Sequence, residues 1–183
     1  MIALSADAQF TYELHQDTEV EVDGKMLKLP WSGGLNSVQV NTMDLNGDTK
    51  QDLVLFDRMA NKLITFINES NQFVPAPDYE ALFPEEVTQW ILLRDFNCDG
   101  KKDIFTSNPF GIVVFVNITK PGELLQWRVY NPGFPLLTKG FTSNINLKVN
   151  ESDIPAIDDI DGDGDLDILN VRFVGIGSVE WHK

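Results

Sequence analysis

The segments DLNGDTKQD, DFNCDGKKD and DIDGDGDLD begin at Asp44, Asp95 and Asp159 and share one spacing of acids. Each opens with Asp, carries Asp or Asn at the third place, and has Asp at the fifth and ninth. Each runs straight into an apolar, strand-like stretch. Like charges at alternate positions repel, so crowding them is costly unless a cation sits among them. A hard cation held by oxygen ligands is the nearest physical answer. The three starts lie 51 and 64 residues apart. Self-similarity at a period of ~50 residues is the mark of repeats or propeller blades.

Calcium takes about six to eight oxygens at ~2.3–2.6 Å in flexible geometry. A tight loop supplies them when the side chains of places one, three and five point inward. The carbonyl of place seven and a carboxylate at place nine then complete the shell. In the first loop these are Asp44, Asn46, Asp48 and Asp52, with the carbonyl of Lys50. In the second they are Asp95, Asn97, Asp99 and Asp103, with the carbonyl of Lys101. In the third they are Asp159, Asp161, Asp163 and Asp167, with the carbonyl of Asp165. Up to three Ca2+ ions are expected. Place six is Gly100 and Gly164 in the second and third loops but Thr49 in the first, so the first is the weakest candidate. An EF-hand is excluded, because place twelve is Leu55, Thr106 or Asn170 rather than Glu and the flanks read as strands. The tandem Gly-rich nonapeptides of calcium β-rolls are absent. Solvated Asp/Asn/Gly turns would explain one such loop. Three aligned loops, each between strand-like runs, favour metal.

The charge balance agrees. There are 28 acidic and 14 basic residues, a net charge of −14. Eleven of the acids lie in the three loops, and three divalent ions would reduce the charge to −8. So acidic a chain is a poor partner for nucleic acid or an anionic membrane, and no apolar run approaches the ~18 residues of a spanning helix. Cys98 is the only cysteine and excludes an internal disulfide.

Helical periodicity is scarce. The apolar runs are short, β-branched and aromatic, and bounded by turn residues: SVQVNTM, DLVLF, KLITFIN, QWILLR, DIFTS, GIVVFVN and DILNV. IVVFV and LITFI are apolar at both parities, which predicts strands buried on both faces. In each unit a strand leads into the acidic loop and a second leaves it; a short turn (RMAN, NPF) and a third strand follow in the first two. Residues 78–87 hold one helical turn, and residues 131–144 read as an insertion. TEVEVDGKMLKL reads as a hairpin turning at Asp23-Gly24. The expected organisation is residues 1–9 as a signal remnant or tail and 10–37 as hairpin and lead-in. Residues 38–88 form a first blade, 89–152 a second with its insertion, and 153–183 an incomplete third. At the N-terminus, Ala6-Asp7-Ala8 fits the small-x-small pattern before a signal-peptidase cut, with Gln9 next. The apolar part before it, MIAL, is shorter than the ~7–15 residues of a signal core, so a clipped signal and a flexible tail both stand.

The loops resemble the calcium loops of the FG-GAP/VCBS repeat family, found in integrin α-subunit propellers and many bacterial surface proteins. The resemblance spans roughly residues 28–182, is specific in the loops and weaker between them. The Gly-Ala-Pro element is missing, and only Phe110-Gly111 echoes its start. It implies an all-β fold: a β-propeller segment of about three four-stranded blades, with a calcium loop between strands one and two of each. Further blades would come from a longer parent chain, or a partner would cover the open end. LPWSGGLNSVQVNTMDLNGD, LVLFDRMANKLITFIN and ESDIPAIDDIDGDGDLDIL also resemble the opening blades of secreted bacterial VCBS proteins, which commonly carry type IX secretion sorting domains. That likeness implies a secreted or cell-surface module without catalytic activity, which binds a protein or glycan in adhesion. The alternative is a non-catalytic propeller attached to, or regulating, a secreted enzyme such as a carbohydrate-active hydrolase.

Against an enzyme, the two histidines, His15 and His182, lie far apart, and no nucleophile elbow, phosphate loop or zinc cluster is present. Asp57, Glu80 and Glu180 are acids outside the loops and could supply a carboxylate pair for glycoside cleavage, but ordinary surface charge, or an ion pair of Asp57 with Arg58, is the expected role. Trp31, Trp90, Trp127 and Trp181 could stack on sugar, but three lie in strand-like runs, where packing between blades is expected. The sequons at Asn68, Asn117 and Asn150 read as chance matches.

Overall fold

The computed structural model describes residues 18–27, 30–31, 33–70, 72–172 and 177–183. The Ala6-Asp7-Ala8 stretch and His15 lie outside the described residues. Two compact units are present, residues 1–34 and 35–183. In the first, β1 (Glu21–Val22) and β2 (Lys25–Met26) form the expected hairpin. Asp23 and Gly24 take φ of 53° and 74°, the left-handed pair that a type I′ turn requires. The Trp31 indole N–H donates to the Thr18 carbonyl at 2.8 Å, and the ring is half exposed.

The described residues of the second unit are all-β apart from a 3-10 turn at Pro77–Leu82, within the stretch where one helical turn was expected. Its first sheet is an antiparallel meander of β3 (Val38–Met43), β4 (Asp52–Asp57), β5 (Lys62–Glu69) and β6 (Gln72–Pro75). Its second repeats the same order with β7 (Ile91–Arg94), β8 (Asp103–Asn108), β9 (Gly111–Asn117) and β10 (Trp127–Val129). The hairpin of β11 (Leu137–Lys139) and β12 (Asn144–Asn146) falls in or beside the predicted insertion. Then β13 (Ala156–Asp158), β14 (Asp167–Val171) and β15 (Val179–His182) form a three-stranded sheet. Each acidic loop joins strand one to strand two of its sheet.

Alternation along the strands assigns each face. In the second sheet Leu93, Ile104 and Phe115 pack with Met43, Val54 and Phe56 of the first. Their chain neighbours Phe105, Val114 and Val116 pack instead with Ile157 and Ile168 of the third. The second sheet is therefore a middle layer, and IVVFV in β9 is buried at nearly every position. LITFI in β5 is not: only Thr65 is buried there, because, among the described residues of this unit, another sheet packs on one face only. The corresponding far face of the third sheet carries Val171, Val179 and Trp181, all about half exposed or more.

Polar groups fasten one sheet to the next where backbone edges approach. The Asn41 carboxamide donates to the Ile91 carbonyl and accepts from the Leu93 N–H, each at 3.2 Å, and Gln39 accepts from the Ile91 N–H at 3.0 Å. Arg94 reaches the Ile157 carbonyl at 2.8 Å, and the Lys102 ammonium donates to the Thr42 carbonyl at 2.7 Å. Gly111, at φ 147°, lies so close to the chain after β12 that a Cβ there would sit 2.4 Å from the Leu147 carbonyl oxygen. Asn41→Ala would leave a buried N–H and a buried carbonyl without partners, a loss of about 1–3 kcal/mol. Chemical denaturation should show that drop; an unchanged midpoint would mean the two sheets do not depend on this bridge.

Candidate metal centres

Each loop must reverse the chain between two strands in nine residues. It does so with two left-handed positions, places four and six. They are Gly47 (81°) and Thr49 (70°), Cys98 (59°) and Gly100 (85°), and Gly162 (78°) and Gly164 (96°). Cys98, at place four of the second loop, is exposed and without a disulfide partner. Thr49 is β-branched, so its left-handed backbone is strained.

The opening aspartate is the loop's internal anchor. Asp44 accepts from the N–H groups of Gly47 (2.7 Å), Asp48 (3.2 Å) and Thr49 (2.8 Å). Asp95 accepts from Asp99 (3.1 Å) and Gly100 (2.8 Å), and Asp159 from Gly162 (2.7 Å) and Gly164 (3.1 Å). Asn46 and Asn97 at place three each accept from the place-five N–H. Place five in turn accepts from the N–H of place seven: Asp48 from Lys50, Asp99 from Lys101 and Asp163 from Asp165. The Lys50 N–H, with its ammonium, holds Asp48 below the usual carboxylate range. Burial opposes this at Asp99, but the Lys101 N–H and Asn97 prevail and its carboxyl is also lowered.

Place nine is different. Asp52, Asp103 and Asp167 are fully buried, and each accepts from the N–H of place two, namely Leu45 (2.7 Å), Phe96 (2.7 Å) and Ile160 (3.0 Å). The second oxygen of Asp52 accepts from Asn68 N–H at 2.8 Å, and that of Asp103 from Asn117 N–H at 2.7 Å, both on the third strand. Burial nevertheless pushes Asp103 above its ordinary range, helped by Asp99 and Asp95 nearby. These carboxylates thus tie loop, second strand and third strand together, a structural task that ligand spacing alone did not reveal.

Carboxylate oxygens of Asp159, Asp161 and Asp167 lie within 4.8 Å of one another. Such an all-oxygen set suits a hard cation such as calcium. Asp163, hydrogen-bonded beside it, raises the Asp165 carboxyl above its ordinary range.

The acids outside the loops have other partners. Asp57 forms no ion pair with Arg58. It accepts from the N–H groups of Asn36 (2.8 Å), Met59 (3.0 Å) and Ala60 (3.2 Å), which hold it below the usual range. Arg58 instead donates to the Gln89 and Ser152 carbonyls. Burial raises Glu80, and Glu180 lies 3.3 Å from Arg172 and 3.8 Å from His182. The tryptophans divide: Trp90 is fully buried, Trp127 donates to the Leu82 carbonyl at 3.0 Å, Trp181 is half exposed, against the packing expected of it, and Trp31, outside the strand-like runs, is half exposed as well.

A family model described as an FG-GAP-like repeat matches residues 44–106, from the first place of the first loop through the second loop into β8. Neither the curated proteins nor the solved structures contain a match. Residues 44–106 therefore carry an FG-GAP-like repeat in an all-β chain of small antiparallel sheets.

Asp103→Asn replaces one of two acceptors with a donor facing a backbone N–H. It should cost about 1–3 kcal/mol, and the loss should persist in chelator. A denaturation midpoint unchanged in chelator would refute the structural role of place nine.

Proposed function

We propose that this chain is a calcium-binding, non-catalytic β-propeller module of a secreted or cell-surface protein, which presents a rigid surface to a protein or glycan ligand. The observation that carries this reading is the third loop, with the carboxylates of Asp159, Asp161 and Asp167 converging within 4.8 Å. The repeat match at residues 44–106 and the equivalent placement of all three loops support the propeller form. The half-exposed apolar face of the third sheet, at Val171, Val179 and Trp181, is where a further blade or a partner would pack. Among the described residues no helix is long and apolar enough to cross a membrane. Outside cells, ambient calcium would keep such loops loaded; the type IX route remains part of the proposal through likeness to secreted VCBS proteins.

One surface suits a ligand. A groove of about 1030 Å³ runs between the second and third sheets beside the β11–β12 hairpin; its lining includes Phe96, Tyr130, Leu136, Glu180 and His182. Aromatic faces beside hydrogen-bonding groups are the make-up of carbohydrate and peptide sites.

Calcium should be taken up in preference to magnesium, which demands near-octahedral geometry at ~2.0–2.1 Å. The third loop should bind most tightly and the first most weakly, with Thr49→Gly tightening the first. Titration calorimetry checks both, and equal magnesium uptake would end the reading. Calcium at ~1,000 times its dissociation constant should add about 4 kcal/mol per site to stability. Asp163→Ala should lower the melting temperature in calcium and have little effect in chelator.

A further inference from the structure

We propose that the Lys183 ammonium is a tethered counter-ion at the third acidic loop, and that a divalent cation binds there by displacing it. The proposal rests on the calcium reading. The Lys183 ammonium donates to Asp161 Oδ2, and Asp161 belongs to the converging carboxylate set. The same ammonium lies 4.5 Å from the centre of the Trp181 ring. One positive charge thus stands against the five aspartates of the loop.

Comparison of the loops explains why this lysine is distinct. In the first loop Lys50 lies 3.2 Å from Asp48, and in the second Lys101 lies 3.5 Å from Asp99. Both are place seven of their own loops. Lys101 is further anchored to the Asn117 and Thr119 carbonyls, at 3.1 and 3.2 Å. In the third loop place seven is Asp165, so no lysine of that loop can serve. Its cation comes instead from the residue after β15. More than half of the Lys183 side chain is exposed, so the ammonium can swing into water at little cost. A divalent ion gathers several oxygens at once and carries twice the charge, so it wins the exchange. Because Lys183 also caps Trp181, the exchange alters the surface of β15 and the lip of the groove.

The test is a calcium titration of the chain at fixed ionic strength, followed by calorimetry and by tryptophan emission. Lys183→Met should tighten the highest-affinity site about two- to fivefold, the factor expected for an exposed ion pair, and Lys183→Arg should restore the original affinity. Calcium should change emission as the ammonium leaves Trp181, and Trp181→Phe and Lys183→Met should each abolish that component. Should Lys183→Met melt early, Lys183→Gln and the emission change of the unaltered chain carry the same test. Calcium uptake with affinity unchanged in these variants, or without an emission change, would overturn the displacement and leave the calcium reading intact. No uptake by either the unaltered chain or Lys183→Met would overturn both.

Discussion

The burial of one carboxylate per unit is the constraint on which this fold depends. Asp52, Asp103 and Asp167 sit where a loop, a second strand and a third strand meet, and a buried charge there is tolerable only with close donors. Backbone N–H groups supply them. Asp52 and Asp103 each receive one from place two and one from the third strand. The strand spacing, the tightness of the loop and its orientation toward solvent all follow from this attachment. The remaining acids are then free to gather at the exposed tip, where repulsion is relieved by backbone N–H groups, by lysines and, in the proposed function, by calcium.

The same attachment explains why loops and sheets recur while their connections do not. The two four-stranded meanders repeat strand for strand, yet a 3-10 turn follows one and an inserted hairpin follows the other. Contacts between sheets are also made differently. The first to second junction uses Asn41 and Gln39 on backbone groups of β7, and the second to third uses Arg94 on the Ile157 carbonyl. Each device covers polar edges that would otherwise lie bare at the junction.

Much of the architecture was legible in the sequence, because it rests on local rules: alternation, turn residues and the repeated spacing of acids. The Asp23-Gly24 hairpin and the order of strands around each loop are of that kind. What was not legible depends on neighbours distant in sequence. LITFI and IVVFV look alike, and only the stacking order leaves the first half-covered and buries the second. Asp57 and Arg58 are adjacent and opposite in charge, yet folding offers each a better partner elsewhere. Within the loops the spacing identified the acids but not their division of labour. That place nine anchors strands, and that Lys183 meets Asp161 across 22 residues, required the fold.

The middle layer has a consequence for how this chain tolerates change. In β8 Ile104 belongs to one core and Phe105, its immediate neighbour, to the other. A one-residue slip of that strand would exchange the two side chains and disrupt both cores at once, since successive residues face opposite sides. Insertions and deletions should therefore be tolerated in the segment around the β11–β12 hairpin and selected against in β8. The amides of β8 should be the last to exchange with solvent, because opening them requires both cores to separate.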